Sequence, residues 1–205
     1  MLMNKSEIFF DRVSSRSKPE PNQTAHKIIE SSKEYLDKDK CVLDFGCGSG
    51  AITNNLAKEV KAIEGIDISS GMLEFAKKQA GKNAITNISY RQVSIFNEGF
   101  KDEKFDVILA FNVLHCIEDM PSLIDRINSL LKPNGIFISS TACMKEKRSL
   151  VRYLVSFLSK IGIIPKMISC KKLELETLIK NGNFDVIKSE KISKLPEYFI
   201  VAKQR

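Results

Sequence analysis

The chain has 205 residues, of which 43% are hydrophobic and 28% charged, and its formal net charge is +7. These values exclude a chain that is too short or too polar to build a core, and the length fits one domain over residues 1–205. No uninterrupted apolar run reaches the roughly 18 residues of a membrane-spanning helix, so none is predicted.

The cysteines and the N-terminus indicate the compartment. The five cysteines form no C-x-x-C pair and no cluster with histidine, which predicts free thiols and no metal site. The first 18 residues are mixed and charged without an apolar core, so no signal peptide is expected. A reducing, cytoplasmic environment is the simplest expectation.

Strand-like and helix-like patterns alternate along the chain, which favours a parallel, doubly wound α/β sheet. Seven strands are predicted, with helices on both faces of the sheet. The predicted strands are 41–45, 61–66, 88–93, 105–111, 135–141, 184–190 and 198–203. The predicted helices are 22–36, 51–58, 70–80, 121–131 and 172–181, with another near 148–159.

The first predicted strand runs into a glycine-rich turn. The apolar residues from Val42 are followed by Asp44 and then by Gly46, Gly48 and Gly50 at alternate positions. Glycine permits positive φ angles and lets a ligand approach the backbone closely. The start of the following helix offers unpaired N–H groups to an anionic part of a ligand. The turn therefore predicts a nucleotide-like cofactor.

Two kinds of cofactor fit this turn. Gly46, Gly48 and Ala51, with Asp67 further on, match the dinucleotide fingerprint of an NAD(P)-binding oxidoreductase. However, Asp44 lies two residues before the first glycine, where a carboxylate would repel a pyrophosphate. It suits a ligand that carries an ammonium or sulfonium charge.

With Asp44 the turn resembles motif I of the class I S-adenosylmethionine (SAM)-dependent methyltransferases, in the small-molecule group similar to the ubiquinone and menaquinone methyltransferases. The resemblance implies a Rossmann-like sheet of seven strands, mostly parallel, with the last strand antiparallel. A dinucleotide-binding Rossmann sheet is normally all parallel, so topology separates the two interpretations. The resemblance implies that the turn binds the cofactor through Asp44, Gly46, Cys47 and Gly48.

The same resemblance extends to the next two strand ends. Asp67 ends the second predicted strand and would accept hydrogen bonds from both ribose hydroxyls, while Ile68 and Met72 flank the adenine. The third strand ends at Ser94, where the family usually has an aspartate that binds the adenine amino group. A serine hydroxyl can accept that bond without charge, and the backbone N–H of Ile95 can serve the ring nitrogen.

The fourth predicted strand, 105–111, and the residues after it resemble the corresponding family motif in nearly every position. Asn112 stands at the carboxyl end of the strand, where open α/β sheets bind ligands, and is the candidate contact for the methionine part of SAM. His115 is the one candidate for a general base. Packing or shaping of the substrate site is the alternative role for this histidine.

Two segments flank this central part. Residues 9–18 are similar to the opening of the quinone-type enzymes, which folds over the cofactor, so the resemblance implies an N-terminal cap over 1–36 with Phe10 and Arg12 as contacts. A lid-like insertion is expected at about 145–170. The segment from 145 to 172 contains eight Lys and Arg residues and one glutamate, so its net charge of +7 equals that of the whole chain. The apolar stretch 148–164 is a substrate lid, a dimer face, a buried helix or a membrane-surface helix.

The resemblance implies a SAM-dependent methyltransferase that acts by direct in-line displacement and releases S-adenosylhomocysteine (SAH). The chain lacks the Asn/Asp-Pro-Pro-aromatic motif of methyltransferases that act on exocyclic amines of nucleic acids, so a small acceptor, lipophilic or anionic, is expected rather than nucleic acid. Peripheral membrane contact through 148–164 and a homodimer stay open. The alternatives are a SAM-binding regulatory protein without turnover and an NAD(P)-binding oxidoreductase.

Overall fold

The computed structural model describes residues 5–100, 105–146, 153–154, 157–159, 161, 163–165 and 167–205. Seven strands form one sheet in this part of the chain. They are β1 (Cys41–Phe45), β2 (Ala62–Asp67), β3 (Ile88–Gln92), β4 (Phe105–Phe111), β5 (Leu131–Ala142), β6 (Phe184–Lys191) and β7 (Glu197–Gln204). The helices are α1 (Lys5–Ser14), α2 (Gln23–Lys33), α3 (Thr53–Leu56), α4 (Ser70–Lys82), α5 (Met120–Leu130) and α6 (Lys172–Asn181), labelled here in chain order.

The order of the strands in the sheet is β3-β2-β1-β4-β5-β7-β6. The pairs from β3 through β5 are parallel, while β7 runs antiparallel to both β5 and β6. The prediction of a seven-stranded, mostly parallel Rossmann-like sheet with an antiparallel last strand is thereby confirmed. The antiparallel β7 is the feature that an all-parallel dinucleotide-binding sheet lacks.

Both faces of the sheet are covered by helices because successive strand residues point to opposite faces. In β1, Val42 packs in the core that also contains Ile28 of α2, whereas the next residue, Leu43, packs in the core that contains Ile127 of α5 and Ile179 of α6. Both strand residues are almost fully buried. The continuous apolar strands predicted from the sequence follow from this double coverage.

Some predicted elements have shifted ends: β5 begins at residue 131 and not at 135, and α2 ends at 33 and not at 36. Larger differences occur at three places. Residues 5–14 form a helix, α1, that the sequence patterns did not predict. The predicted helix 51–58 is reduced to α3, followed by a 3-10 turn over Ala57–Glu59. Of the predicted helix near 148–159, residues 153, 154 and 157–159 are helical, and the others lie outside the described residues.

The two ends of the segment between β5 and α6 lie next to each other. The backbone N–H of Lys145 donates to the carbonyl of Cys170 at 3.1 Å, and the N–H of Lys172 donates to a carboxylate oxygen of Glu146 at 2.7 Å. The thiols of Cys143 and Cys170 lie 3.8 Å apart. The two ends of the predicted insertion therefore meet beside the carboxyl end of β5.

A bilayer-spanning helix would need more length and more apolar residues than any described helix has.

Candidate functional site

The glycine-rich turn after β1 has the backbone geometry that its sequence predicts. Gly46, Gly48 and Gly50 have φ angles of +71°, +53° and +73°. The N–H groups of Gly46 and Cys47 both donate to the carbonyl of Ile66, at 2.8 and 3.1 Å. A Cβ on Gly46 would lie 2.5 Å from the side chain of Val113. Glycine is therefore required at position 46 by its conformation and by its neighbour.

Asp67, the last residue of β2, faces this turn. Its carboxylate accepts hydrogen bonds from the N–H groups of Gly48 and Ser69, each at 2.9 Å. Burial raises the pKa of Asp67, and these backbone hydrogen bonds oppose that rise. Ser69 caps helix α4 by accepting from the N–H of Met72 at 3.1 Å, which leaves Asp67 without that task.

Asp44 lies beneath the turn and is only 2% exposed. The hydroxyl of Thr53 donates to its carboxylate at 2.6 Å. Burial raises the pKa of Asp44 to about 7, the Thr53 hydrogen bond opposes the rise, and the negative charge of Asp67 adds to it. A buried carboxyl with a pKa near neutrality can be charged when a cationic ligand group lies beside it.

Three adjoining cavities surround the turn. One of about 410 Å³ lies over the ends of β2 and β3, one of about 460 Å³ lies between the turn and α2, and one of about 570 Å³ lies between α2 and the β6–β7 loop. Asn112 lines all three. The cavities thus adjoin one another at Asn112, near the carboxyl ends of the strands.

All ten residues predicted to bind the cofactor line the first two cavities. Ser94 is exposed at the mouth of the first cavity, while Ile95 is buried beside it. The first cavity is lined by Gly46, Gly48, Asp67, Ile68, Met72, Ser94, Ile95 and Asn112, and the second by Asp44, Gly46, Cys47, Gly48, Met72 and Asn112. The structure therefore brings the predicted set together, from five separate places in the sequence.

Asn112 follows β4 in the left-handed conformation, with φ +55°. Its backbone N–H donates to the carbonyl of Ser140 in β5 at 2.8 Å, and its side-chain amide donates to the carboxylate of Glu197 at 3.2 Å. A non-glycine residue with positive φ is uncommon and is held here by bonds to two neighbouring strands. Asn112 is exposed at the point where the three cavities meet.

His115 lies in the 3-10 turn Leu114–Cys116 that follows Asn112. Burial lowers the pKa of His115, and the negative charge of Glu197 opposes that shift. Its Nδ1 is buried without a hydrogen-bond partner among the described residues. The linings of the three cavities do not include His115. Its role as a base stays a prediction.

Two acidic residues of the site were not found by sequence reasoning. The carboxylate of Asp11 in α1 accepts from the hydroxyl of Ser69 at 2.6 Å and from the N–H of Gly71 at 3.0 Å. Glu197 begins β7 and is 8% exposed at the third cavity. Both act across more than fifty residues of sequence, so no local pattern marks them.

Comparisons with known proteins agree with this arrangement. A family model described as "Methyltransferase domain" matches residues 36–178. The ubiquinone biosynthesis O-methyltransferase of Pasteurella multocida is 39% identical over 112 residues, which are 50% of this chain and 46% of that protein. The protein of the same name from Actinobacillus pleuropneumoniae serotype 5b is 34% identical over 148 residues, 69% of this chain and 60% of that protein.

The chain thus spans about half to three fifths of the length of these relatives. Among solved structures, magnesium protoporphyrin IX methyltransferase from Synechocystis with bound SAH superposes with a TM-score of 0.74 at 19% identity. That match covers 98% of this chain and 100% of the other. The comparison supports the same fold for the part of the chain that the structure describes.

Proposed function

Because the chain belongs to the methyltransferase-domain family, we propose that it transfers the methyl group of SAM to a small molecule and releases SAH. The observation that carries the proposal is the gathering of the ten predicted cofactor residues around two adjoining cavities. The O-methyltransferase names of the sequence relatives support the same activity.

The cofactor binds in these two cavities, with its adenosine in the first and its methionine in the second. Asp67 accepts hydrogen bonds from the ribose hydroxyls with the lone pairs that Gly48 and Ser69 leave free. Ile68 and Met72 lie on either side of the adenine. Ser94 and the backbone of Ile95 meet its edge.

The charged end of the cofactor lies against Asp44 and Asn112. SAM carries a sulfonium and an ammonium group, and a carboxylate that is shielded from water attracts both. The glycines let the backbone approach this part of the ligand, because a Cβ on Gly48 would project into open space. Cys47 completes the floor of the cavity.

When bound, SAM supplies a methyl group that is already activated, so the chain's residues have to align the acceptor and exclude water. Alignment of two reactants contributes about 7–11 kcal/mol in favourable cases. The 570 Å³ cavity adjoins the methionine cavity through Asn22, Ala25, Ile52 and Asn112, and is where the acceptor binds.

The acceptor is a small molecule with apolar character. Ile28, Ile52 and Ile192 line its cavity together with Lys27 and Lys194, which suits a lipophilic group near an anionic one. Nucleic acid is not part of the proposal. Contact with a membrane surface through 148–164 fits the exposed apolar side chains of Leu154, Phe157 and Ile161.

In the proposed architecture, residues 1–205 are one methyltransferase domain in the cytoplasm. Residues 1–36 form a cap, because Ser6 and Phe10 line the adenosine cavity and Lys18 and Asn22 line the methionine cavity. The segment 145–170 forms a lid or, in a homodimer, a subunit contact.

The test combines binding with turnover. Calorimetric titration with SAM, SAH and NAD is expected to give micromolar binding of the first two and none of NAD. Incubation with methyl-labelled SAM and small-molecule acceptors is then expected to release SAH and a labelled product, which boiled protein does not give. Preference for NAD would refute the proposal, and tight SAM binding without transfer to any acceptor would favour the alternative of a SAM-binding regulatory protein.

A further inference from the structure

Glu197 is a buried carboxylate that the cofactor site does not use. It is 8% exposed, begins β7 and lines the 570 Å³ acceptor cavity. A buried acid without a cation beside it is costly unless other groups stabilise its charge. The residue therefore calls for a function at this cavity.

One oxygen of Glu197 is already engaged. The hydroxyl of Ser140 donates to Oε1 at 2.9 Å, and the side-chain amide of Asn112 donates to the same oxygen at 3.2 Å. In the part of the chain that the structure describes, no donor reaches Oε2. Two donors thus fix the carboxylate and leave its second oxygen able to accept a hydrogen bond from a ligand.

The position of this oxygen matters because of Asn112. That residue lines both cofactor cavities and the acceptor cavity, and its side chain contacts Glu197 directly. The carboxylate consequently lies one side chain away from the place where the methyl group is presented. His115, the other candidate base, is absent from the described lining of these cavities.

We infer that Glu197 is a catalytic residue that binds a hydroxyl group of the acceptor and takes its proton. The inference rests on the proposed function. As the methyl group transfers, a lone pair of the acceptor oxygen forms the new C–O bond, and the electron pair of the breaking C–S bond stays on sulfur. The hydroxyl proton passes to Oε2 of Glu197, which yields the methyl ether, SAH and a protonated carboxyl that returns its proton to water.

A phenol is a suitable probe of this role, because a carboxylate can assist the loss of its hydroxyl proton. A proton acceptor positioned on the reacting group contributes about 10²–10⁴-fold to a rate. A thiolate needs no base, and an alcohol holds its proton far more tightly than a phenol does. Most of the lining residues are polar or charged, but Ile28, Ile52 and Ile192 also line the cavity and can contact the ring.

The test compares Glu197→Gln with the wild type on para-butylphenol and para-butylaniline, which differ at the reacting atom. The glutamine carbonyl can still accept from Ser140 and Asn112, so the fold and the cofactor site are retained while the proton acceptor is lost. Glu190→Gln makes the same change on the outer strand β6, where the carboxylate is exposed, and is the matched control.

We expect the wild type and Glu190→Gln to methylate the phenol and not the aniline, and Glu197→Gln to lose about 100-fold or more in kcat. The affinity for SAM and the melting temperature are expected to be unchanged. Equal kcat in Glu197→Gln, methylation of the aniline alone, or no transfer to the phenol by a SAM-bound wild type would each overturn the inference.

Loss of SAM affinity in Glu197→Gln would also overturn it, because Glu197 would then act through Asn112 on the cofactor. Failure of the wild type itself to bind SAM would refute the proposed function and the inference together. A loss of kcat in Glu197→Gln without a loss of SAM affinity therefore reports on the reaction of the acceptor and not on the binding of the cofactor.

Discussion

Asp67 and Gly48 are joined by a hydrogen bond of 2.9 Å, so the carboxylate at the end of β2 holds the turn that follows β1. The two neighbouring parallel strands are thereby coupled through a side chain at the edge where parallel sheets bind ligands. The same carboxylate lines the 410 Å³ cavity in which we propose that the adenosine binds. A change at Asp67 should consequently affect both the turn and the ribose.

Replacement of Asp67 by Asn is expected to lower the affinity for SAM and SAH alike by about ten- to a hundredfold. The reason is that hydrogen bonds to a charged group contribute about 1.5–3 kcal/mol each. Calorimetric titration measures the effect. Glu64→Gln, on the same strand but outside the three described cavity linings, is the control and should bind as the wild type does. Unchanged affinity in Asp67→Asn would contradict the proposed ribose contact.

Replacement of Gly46 by Ala is expected to reduce stability and cofactor binding together. The new Cβ would meet the Val113 side chain at 2.5 Å, and the φ of +71° is strained for any residue with a Cβ. We expect a loss of about 2 kcal/mol or more in the free energy of unfolding, measured by chemical denaturation.

Substitutions at two further glycines distinguish the effect of backbone strain on stability from the effect of a side chain that obstructs the ligand. Gly48→Ala places its Cβ in open space at positive φ, so it should cost about 1 kcal/mol of stability and mainly obstruct the cofactor. Gly81→Ala lies in helix α4 with nothing near its Cβ and should stabilise the fold by about 0.5–1 kcal/mol. Equal effects at positions 46 and 81 would show that the turn is not strained.

The sequence predicted the central sheet correctly, and the residues that it proposed for the cofactor lie together around two cavities. Both results depend on local patterns. Apolar runs mark the buried strands, and Gly46 and Gly48 with Asp44 mark the turn within a few residues. The helix α1 was missed because its ten residues are too short a stretch to show a clear helical period, and its Asp11 is fixed by Ser69 and not by its own neighbours.

Glu197 was missed for a similar reason. A glutamate that precedes an apolar strand has the pattern of an ordinary exposed strand end. Its burial results from β7 inserting between β5 and β6, which places it beside Ser140 and Asn112. Such pairings depend on the strand order, which no short stretch of sequence contains.

The pKa of Asp44 predicts a dependence of stability on pH. Burial raises its folded-state pKa from 3.8 to about 7, so the folded protein binds more protons than the unfolded chain between these values. The stability that Asp44 contributes is then greatest below about pH 4, falls as the pH rises to about 7 and is level above it. At about 1.4 kcal/mol per pKa unit, the decline attributable to Asp44 is up to about 4 kcal/mol.

Denaturation of the wild type and Asp44→Asn across this range measures the effect. The asparagine can still accept from Thr53, so the difference between the two curves isolates the charge of residue 44 from the other titrating groups, including the oppositely shifted His115. SAM affinity should show the reverse trend and rise through about pH 7 in the wild type only, because the ionised carboxylate attracts the sulfonium. Parallel stability curves for the two proteins would contradict both expectations.

Asp11 ties the N-terminal helix to the start of α4. Its Oδ1 accepts from the Ser69 hydroxyl at 2.6 Å and from the Gly71 N–H at 3.0 Å, and its neighbour Phe10 lines the adenosine cavity. A carboxylate at a helix N-terminus is also favoured by the helix dipole. If α1 is part of a cap over the cofactor, removal of this carboxylate should release it.

We expect Asp11→Asn to lower SAM affinity by about three- to tenfold, since one or two charge-assisted hydrogen bonds are weakened. We also expect it to speed proteolytic cleavage within residues 5–20 and to leave cleavage elsewhere unchanged. Arg12→Ala is the matched control. The sequence led us to expect Arg12 as a cofactor contact, but its side chain is exposed and, unlike Phe10, lies outside the described cavity linings. SAM should protect the wild-type segment from protease, and equal protection of Asp11→Asn would show that the cap closes without this contact.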